Sequence, residues 1–243
     1  MDRILRVLYQ PYKWLVFFPL FFIITCILVL IGIVVLIFLD DYAANRTTGV
    51  WWARLTGYIT PMRVRVTGRE HIVKGQSYVI VSNHQSMYDV LVLYGWLGLD
   101  LKWVIKKELR KVPIIGFAAE KGGNVFIDRS NPRGAYQSLE AAKKKIINGT
   151  SIIILPEGTR SRTGELGEFR KGAFWLAREL KLPILPVSIA NTRAILPPRT
   201  FDLFPGTAYM KIHQPIDTAS HDESAFDNLI GRVREVIRSG LDK

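Results

Sequence analysis

The chain has 243 residues, 49% hydrophobic and 22% charged, which suffices for one sizeable domain plus an appendage and excludes a disordered chain. Its formal net charge of +12 suits anionic partners (nucleic acid, anionic lipid, phosphorylated substrates or carriers) without choosing among them. The single cysteine, Cys26, excludes an intrachain disulfide, and no Cys/His cluster has zinc-ligand spacing, so a cytoplasmic active domain is the default.

Residues 14–39, WLVFFPLFFIITCILVLIGIVVLIFL, run for 26 residues without a charge, and a helix needs about 20 apolar residues to cross a bilayer. The run is too long for the core of a cleaved signal peptide, and no clear small-residue cleavage site follows it. Pro19 and Gly32 are points where it would break into two shorter helices, giving a hairpin with both ends on the cytoplasmic side. A single crossing is the alternative. Residues 50–62, VWWARLTGYITPM, are aromatic-rich, which fits either the headgroup level or packing onto the domain. Residues 1–60 are therefore read as a membrane-associated helical region and 61–243 as an α/β domain.

Strands are predicted in MRVRVTG (62–68), SYVIVSN (77–83), LKWVIKK (101–107), GGNVFIDR (122–129), SIIIL (151–155), LPILPVSIA (182–190) and AYMKIHQ (208–214). Helices are predicted in DVLVLYGWLG (89–98), in 131–149 with Asn131 as cap and Gly149 as stop, in KGAFWLARELK (171–181) and in 223–241. This alternation indicates an α/β fold.

His84 and Asp89 stand five residues apart in NHQSMYD, just after an apolar strand. Residues five apart do not share a helix face, but they meet if His84 precedes a helix and Asp89 lies in its first turn. Asp89 then fixes the imidazole tautomer and leaves the other nitrogen to take a proton from an alcohol. No G-x-S-x-G nucleophile is present, so the substrate supplies the nucleophile. Taken alone, the pattern is also that of a polar turn or helix cap. LPEGTRSRTGELGEFRKG (155–172) follows another apolar strand. It places Glu157, Gly158, Thr159 and Arg160 where α/β folds bind ligands, and Arg160 offers a planar fork for a phosphate. A solvated basic loop would look similar. Asp128 and Arg129 end a further strand, and Lys106, Lys107, Arg110 and Lys111 precede Pro113.

NHQSMYD, GNVFIDR, LPEGTRS and LPVSI, in this order, resemble the four blocks of the glycerolipid acyltransferase family, in particular its bacterial 1-acylglycerol-3-phosphate branch. The resemblance implies a mixed α/β sheet flanked by helices, behind an N-terminal hydrophobic anchor. It implies His84 as general base, Asp89 as its orienting partner, and Arg129, Arg160 and Lys106 as phosphate contacts. Glu157, Gly158 and Thr159 would shape the acceptor site, with backbone of Glu157 and Gly158 aiding an oxyanion. Pro186 would mark the fourth, structural block. No metal or redox cofactor is implied. The partners are a lysophospholipid acceptor, an acyl thioester donor (acyl-CoA or acyl-carrier protein) and anionic membrane lipid, with no nucleic acid. The expected location is the bacterial inner membrane, active site facing the cytoplasm. Two alternatives stand beside phosphatidate synthesis: another acceptor, such as glycerol 3-phosphate or a lyso-ornithine-type lipid, and a non-catalytic anionic-lipid-binding membrane protein.

Overall fold

The computed structural model describes the chain apart from residues 1–2, 113–114, 129–130, 132–133, 135–136, 139, 141–142, 144–145, 147–148, 162, 219–225 and 242–243. It opens with α1 (Arg3–Tyr12), a π-helical turn (Lys13–Phe17) and α2 (Phe18–Phe38). The stretch Tyr9–Phe38 is long and apolar enough to cross a membrane; an 18-residue window of it is almost wholly unburied, while Phe17 packs into the core. Pro19 and Gly32 do not break α2, contrary to expectation. Pro19 directly follows the π-helical turn Lys13–Phe17 within a continuous helical path, and Gly32 gives room for the Thr48 hydroxyl. The reversal comes at Leu39–Asp40 instead. The chain returns through α3 (Asp41–Ala44), a second π-helical turn (Asn45–Gly49) and α4 (Val50–Ile59), which packs back on α2. Trp52 takes part in that contact, donating from Nε1 to Thr25 Oγ1 at 3.1 Å, while Trp51 and Tyr58 are exposed.

The sheet has seven strands: β1 (Met62–Thr67), β2 (Val79–Ser82), β3 (Asp100–Lys106), β4 (Val125–Ile127), β5 (Thr150–Ile154), β6 (Ile184–Ala190) and β7 (Gly206–Ile212). Their spatial order is β1-β7-β6-β2-β5-β3-β4. Every neighbouring pair is parallel except β6 and β7, so the sheet is mixed. The central strands are apolar on both faces because helices cover both. Ile80, Ile153 and Leu185 face one layer with α5 (Tyr88–Trp96), whose Leu91 and Leu93 are buried there. Val79, Val81 and Ile152 face the other, with α7 (Gly172–Leu180) and α9 (Phe226–Ser239). The terminal helix buries Leu229, Val233 and Ile237, spaced at one per turn. Two short helices complete the described elements, α6 (Ile115–Lys121) and α8 (Thr192–Ile195). The helix expected over 131–149 falls largely outside the described residues, although Asn131 Oδ1 accepts the Gly134 amide as a cap should.

The N-terminal helices are tied to α5. Tyr12 donates to the Ile59 carbonyl at 2.7 Å, and the neighbouring Thr60 hydroxyl bonds the buried Tyr88 hydroxyl at 2.5 Å. Burial raises the Tyr88 phenol well above its ordinary value, so it stays neutral and holds this contact at any physiological pH.

Candidate active site

Asn83 is the first residue after β2, and its side chain prolongs the sheet. Its Nδ2 donates to Ile189 O and its Oδ1 accepts from Ile189 N, both at 2.8 Å. The amide thus substitutes for a strand backbone against β6, and the main chain is free to turn away at the strand's C-terminal end. His84 stands at that turn and Asp89 in the first turn of α5, the break that lets residues five apart meet. His84 Nδ1 lies 2.8 Å from Asp89 Oδ2.

Asp89 is fully buried, and four donors hold it. Oδ2 accepts from His84 Nδ1 and from the amides of Gln85 and Ser86, at 2.6 and 2.8 Å, while Oδ1 accepts the Thr192 hydroxyl. A carboxylate surrounded only by donors acts as an acceptor, so Nδ1 carries its proton toward Asp89 and Nε2 has its lone pair available. Among the described residues Nε2 has no protein partner, and the His84 side chain is 13% exposed. The arrangement is that of an oriented base without a neighbouring protein nucleophile.

Glu157 joins this turn to the basic loop. It is buried; Oε1 accepts the His84 amide at 2.7 Å and Oε2 the Gly167 amide at 2.9 Å. Burial raises its carboxyl above the usual range, partly offset by those two amides. The Ser161 amide returns the link, donating to the His84 carbonyl at 2.8 Å. Gly158 has φ +69° and carries the Arg170 guanidinium against its Cα; an added Cβ would come 2.9 Å from Arg170 Nε. Thr159, Arg160, Ser161 and Arg170 line a cavity of about 700 Å³ beside Glu157.

One expectation needs correction. The Gly158 amide donates to the Leu155 carbonyl at 3.1 Å, so it is not available to an oxyanion. Glu157 lies at the inner end of the cavity as a brace, both oxygens engaged by backbone. Lys106 stands exposed at the end of β3. Its neighbour Lys107 makes the ion pair to Asp128. Arg129 and Arg162 lie outside the described residues. Among the described residues no three His, Cys, Asp or Glu side chains gather as a metal site. Sequence reasoning missed Thr192, since a threonine more than a hundred residues beyond Asp89 carries no local signal.

A family model described as acyltransferase matches residues 63–190. The chain belongs to the acyltransferase family. Over 181 residues it is 34% identical to the 1-acyl-sn-glycerol-3-phosphate acyltransferase of Saccharomyces cerevisiae, an alignment covering 73% of this chain and 58% of the yeast protein. Over 221 residues it is 31% identical to the chloroplastic 1-acyl-sn-glycerol-3-phosphate acyltransferase LPAT1 of Arabidopsis thaliana, covering 89% and 60%. The chain thus spans about three-fifths of the length of these curated relatives. The crystal structure of the 1-acyl-sn-glycerophosphate acyltransferase PlsC from Thermotoga maritima has the same fold, with a TM-score of 0.77 and 29% identity over 99% of this chain and 96% of that one. That likeness extends over the N-terminal helices as well as the mixed sheet. The acyltransferase match contains all the site residues named from sequence and ends at Ala190, just before Thr192.

Proposed function

We propose that this acyltransferase moves a fatty acyl group from an acyl thioester, on coenzyme A or acyl carrier protein, to the sn-2 hydroxyl of 1-acyl-sn-glycerol 3-phosphate, giving phosphatidate. One observation carries the reading: an Asp89-held imidazole whose backbone is braced through Glu157 to an arginine-lined cavity. His84 Nε2 takes the acceptor's hydroxyl proton as the oxygen attacks the thioester carbonyl. The tetrahedral intermediate collapses, breaking the C–S bond, and the leaving thiolate takes the proton back from the imidazolium. Asp89 stabilises that imidazolium while it exists. A thiolate is a good leaving group and the nucleophile is the acceptor's own oxygen, so the step needs neither a covalent acyl-enzyme nor a cofactor. Arg160, joined by Arg129, holds the glycerol phosphate and turns binding energy into alignment of the hydroxyl. Lys106, exposed at the end of β3, is the third phosphate contact.

The helix Tyr9–Phe38 holds the protein in the bacterial cytoplasmic membrane, where the lysolipid resides, with the active site on the cytoplasmic side. The names of the relatives and the PlsC likeness support this substrate over glycerol 3-phosphate or a phosphate-free lysolipid. The test is an acceptor panel with purified protein. Transfer to 1-acyl-glycerol 3-phosphate that is abolished in His84→Ala, with lysolipid binding retained, is the expected result. Transfer only to a phosphate-free lysolipid would overturn the choice of acceptor, and unchanged turnover in His84→Ala would remove the base.

A further inference from the structure

The loop carrying Arg160 is held from outside by two arginines that lie beyond the matched family stretch. Arg234, on α9, lays its fork across two consecutive carbonyls. Nε donates to Gly167 O at 3.0 Å and Nη2 to Leu166 O at 2.8 Å. The Gly167 amide faces the opposite way, into Glu157 Oε2, whose carboxylate in turn accepts the His84 amide. The strip lies close against the carboxylate: a Cβ added at Gly167 would stand 2.9 Å from Glu157 Oε2. From the other flank Arg193 donates through Nη1 to Thr163 O at 2.8 Å. It directly follows Thr192, whose hydroxyl bonds Asp89.

Carbonyls on a surface loop are readily satisfied by water, so ordering long side chains on them gains little net stability. What the two arginines do change is position. A planar fork on adjacent carbonyls restricts both the place and the tilt of the strip that walls the cavity. We propose that Arg234, with Arg193 opposite, is a positioning residue that sets the acceptor-phosphate site by clamping the 157–170 loop. The terminal helix thereby becomes part of the acylation machinery without touching substrate. This rests on the reading of the Arg160 loop as the phosphate site.

The test uses Arg234→Ala, Arg234→Lys and Arg193→Ala in the full-length protein, with Michaelis constants for acceptor and donor measured separately. The α9 core contacts are Leu229, Val233 and Ile237, so Arg234→Ala leaves the helix seated. Expected is a rise on the order of tenfold in acceptor KM for Arg234→Ala, with donor KM within about twofold of wild type. Lysine offers a point charge in place of a fork, so Arg234→Lys recovers only part of the loss. Arg193→Ala moves the same constant in the same direction. An unchanged acceptor KM in both Arg234 variants overturns the proposal. So does a parallel rise in both Michaelis constants with lost helicity in Arg234→Ala while Arg193→Ala stays at wild type, since that marks a merely structural role. A wild-type protein that acylates phosphate-free acceptors equally fast overturns the phosphate reading itself, and the clamp with it.

Discussion

Replacing Asp89 by asparagine separates its charge from its geometry. Oδ2 faces two backbone amides and the imidazole Nδ1, all donors, so an asparagine NH2 group cannot occupy that position. The asparagine oxygen must sit there, and its NH2 takes the place of Oδ1, where the Thr192 hydroxyl turns to accept. The imidazole therefore keeps its tautomer and orientation and loses only its negative partner. The charge centres of the pair are about 4 Å apart, and at an effective dielectric of about 20 their attraction is about 4 kcal/mol. That is an upper figure for stabilising the transient imidazolium, and it corresponds to a fall in kcat of about two to three decades. Where the tautomer is also lost, as in serine-protease triads, the fall is about 10⁴. The assay is initial-rate formation of labelled phosphatidate at saturating acceptor and donor, with both KM values expected within about threefold of wild type. A kcat within fivefold of wild type in folded Asp89→Asn would refute the reasoning, because the charge would then play no part. Asp89→Ala is a different perturbation: it strands the Gln85 and Ser86 amides, and chemical denaturation should register a loss of about 2–4 kcal/mol.

Other outcomes follow from individual contacts. Thr192→Val keeps side-chain shape but removes one donor to the buried Asp89 carboxylate; kcat should drop about tenfold with little change in either KM. Asn83→Asp retains the acceptor for Ile189 N but sets a second acceptor against Ile189 O, and should cost about 2–4 kcal/mol by urea titration. Gly158→Ala forces a φ of +69° on a residue with a Cβ and pushes it into Arg170; acceptor KM should rise, with about 1–2 kcal/mol lost from stability. His213 is buried, donates through Nε2 to Ser188 Oγ, and has its pKa lowered to about 4, first by burial and then by Lys211 and His71. The unfolded chain binds this proton more readily, so the contribution is intact above about pH 6.5 and lost as pH falls toward 4, by at most about 3 kcal/mol. Denaturation midpoints across that window should show the slope, and His213→Gln should flatten it.

Much of the sheet could be read from the sequence because its central strands are short apolar runs ended by turn residues, and both faces are covered. The His84–Asp89 contact was legible as well, since it depends only on a strand, a turn and a helix start. What brings Glu157 to the His84 amide is the adjacency of β2 and β5 in the sheet, and strand order is not written in local spacing. The Gly158 amide was misjudged because a tight turn binds it to Leu155, a detail of φ and ψ rather than of composition. Pro19 and Gly32 misled for a related reason. The proline is accommodated next to a π-helical turn, and a glycine within a helix can simply make room for a neighbour.

The first strand of the sheet is completed by the last. Among the described residues β1 finds its only strand partner in β7, with Met62 beside Gly206. As the chain is synthesised, the apolar helices precede the whole sheet, and β1 emerges next with its hydrogen-bonding edge open. That edge stays open until β7 has been made, since among the described residues no intervening strand lies beside it. Such a long-range parallel pairing has to wait for β7, so closure of this side of the sheet is expected to be a late step. A chain truncated before Gly206 would carry an anchor and most of a core, yet lack the strand that joins β1 to the rest of its own sheet.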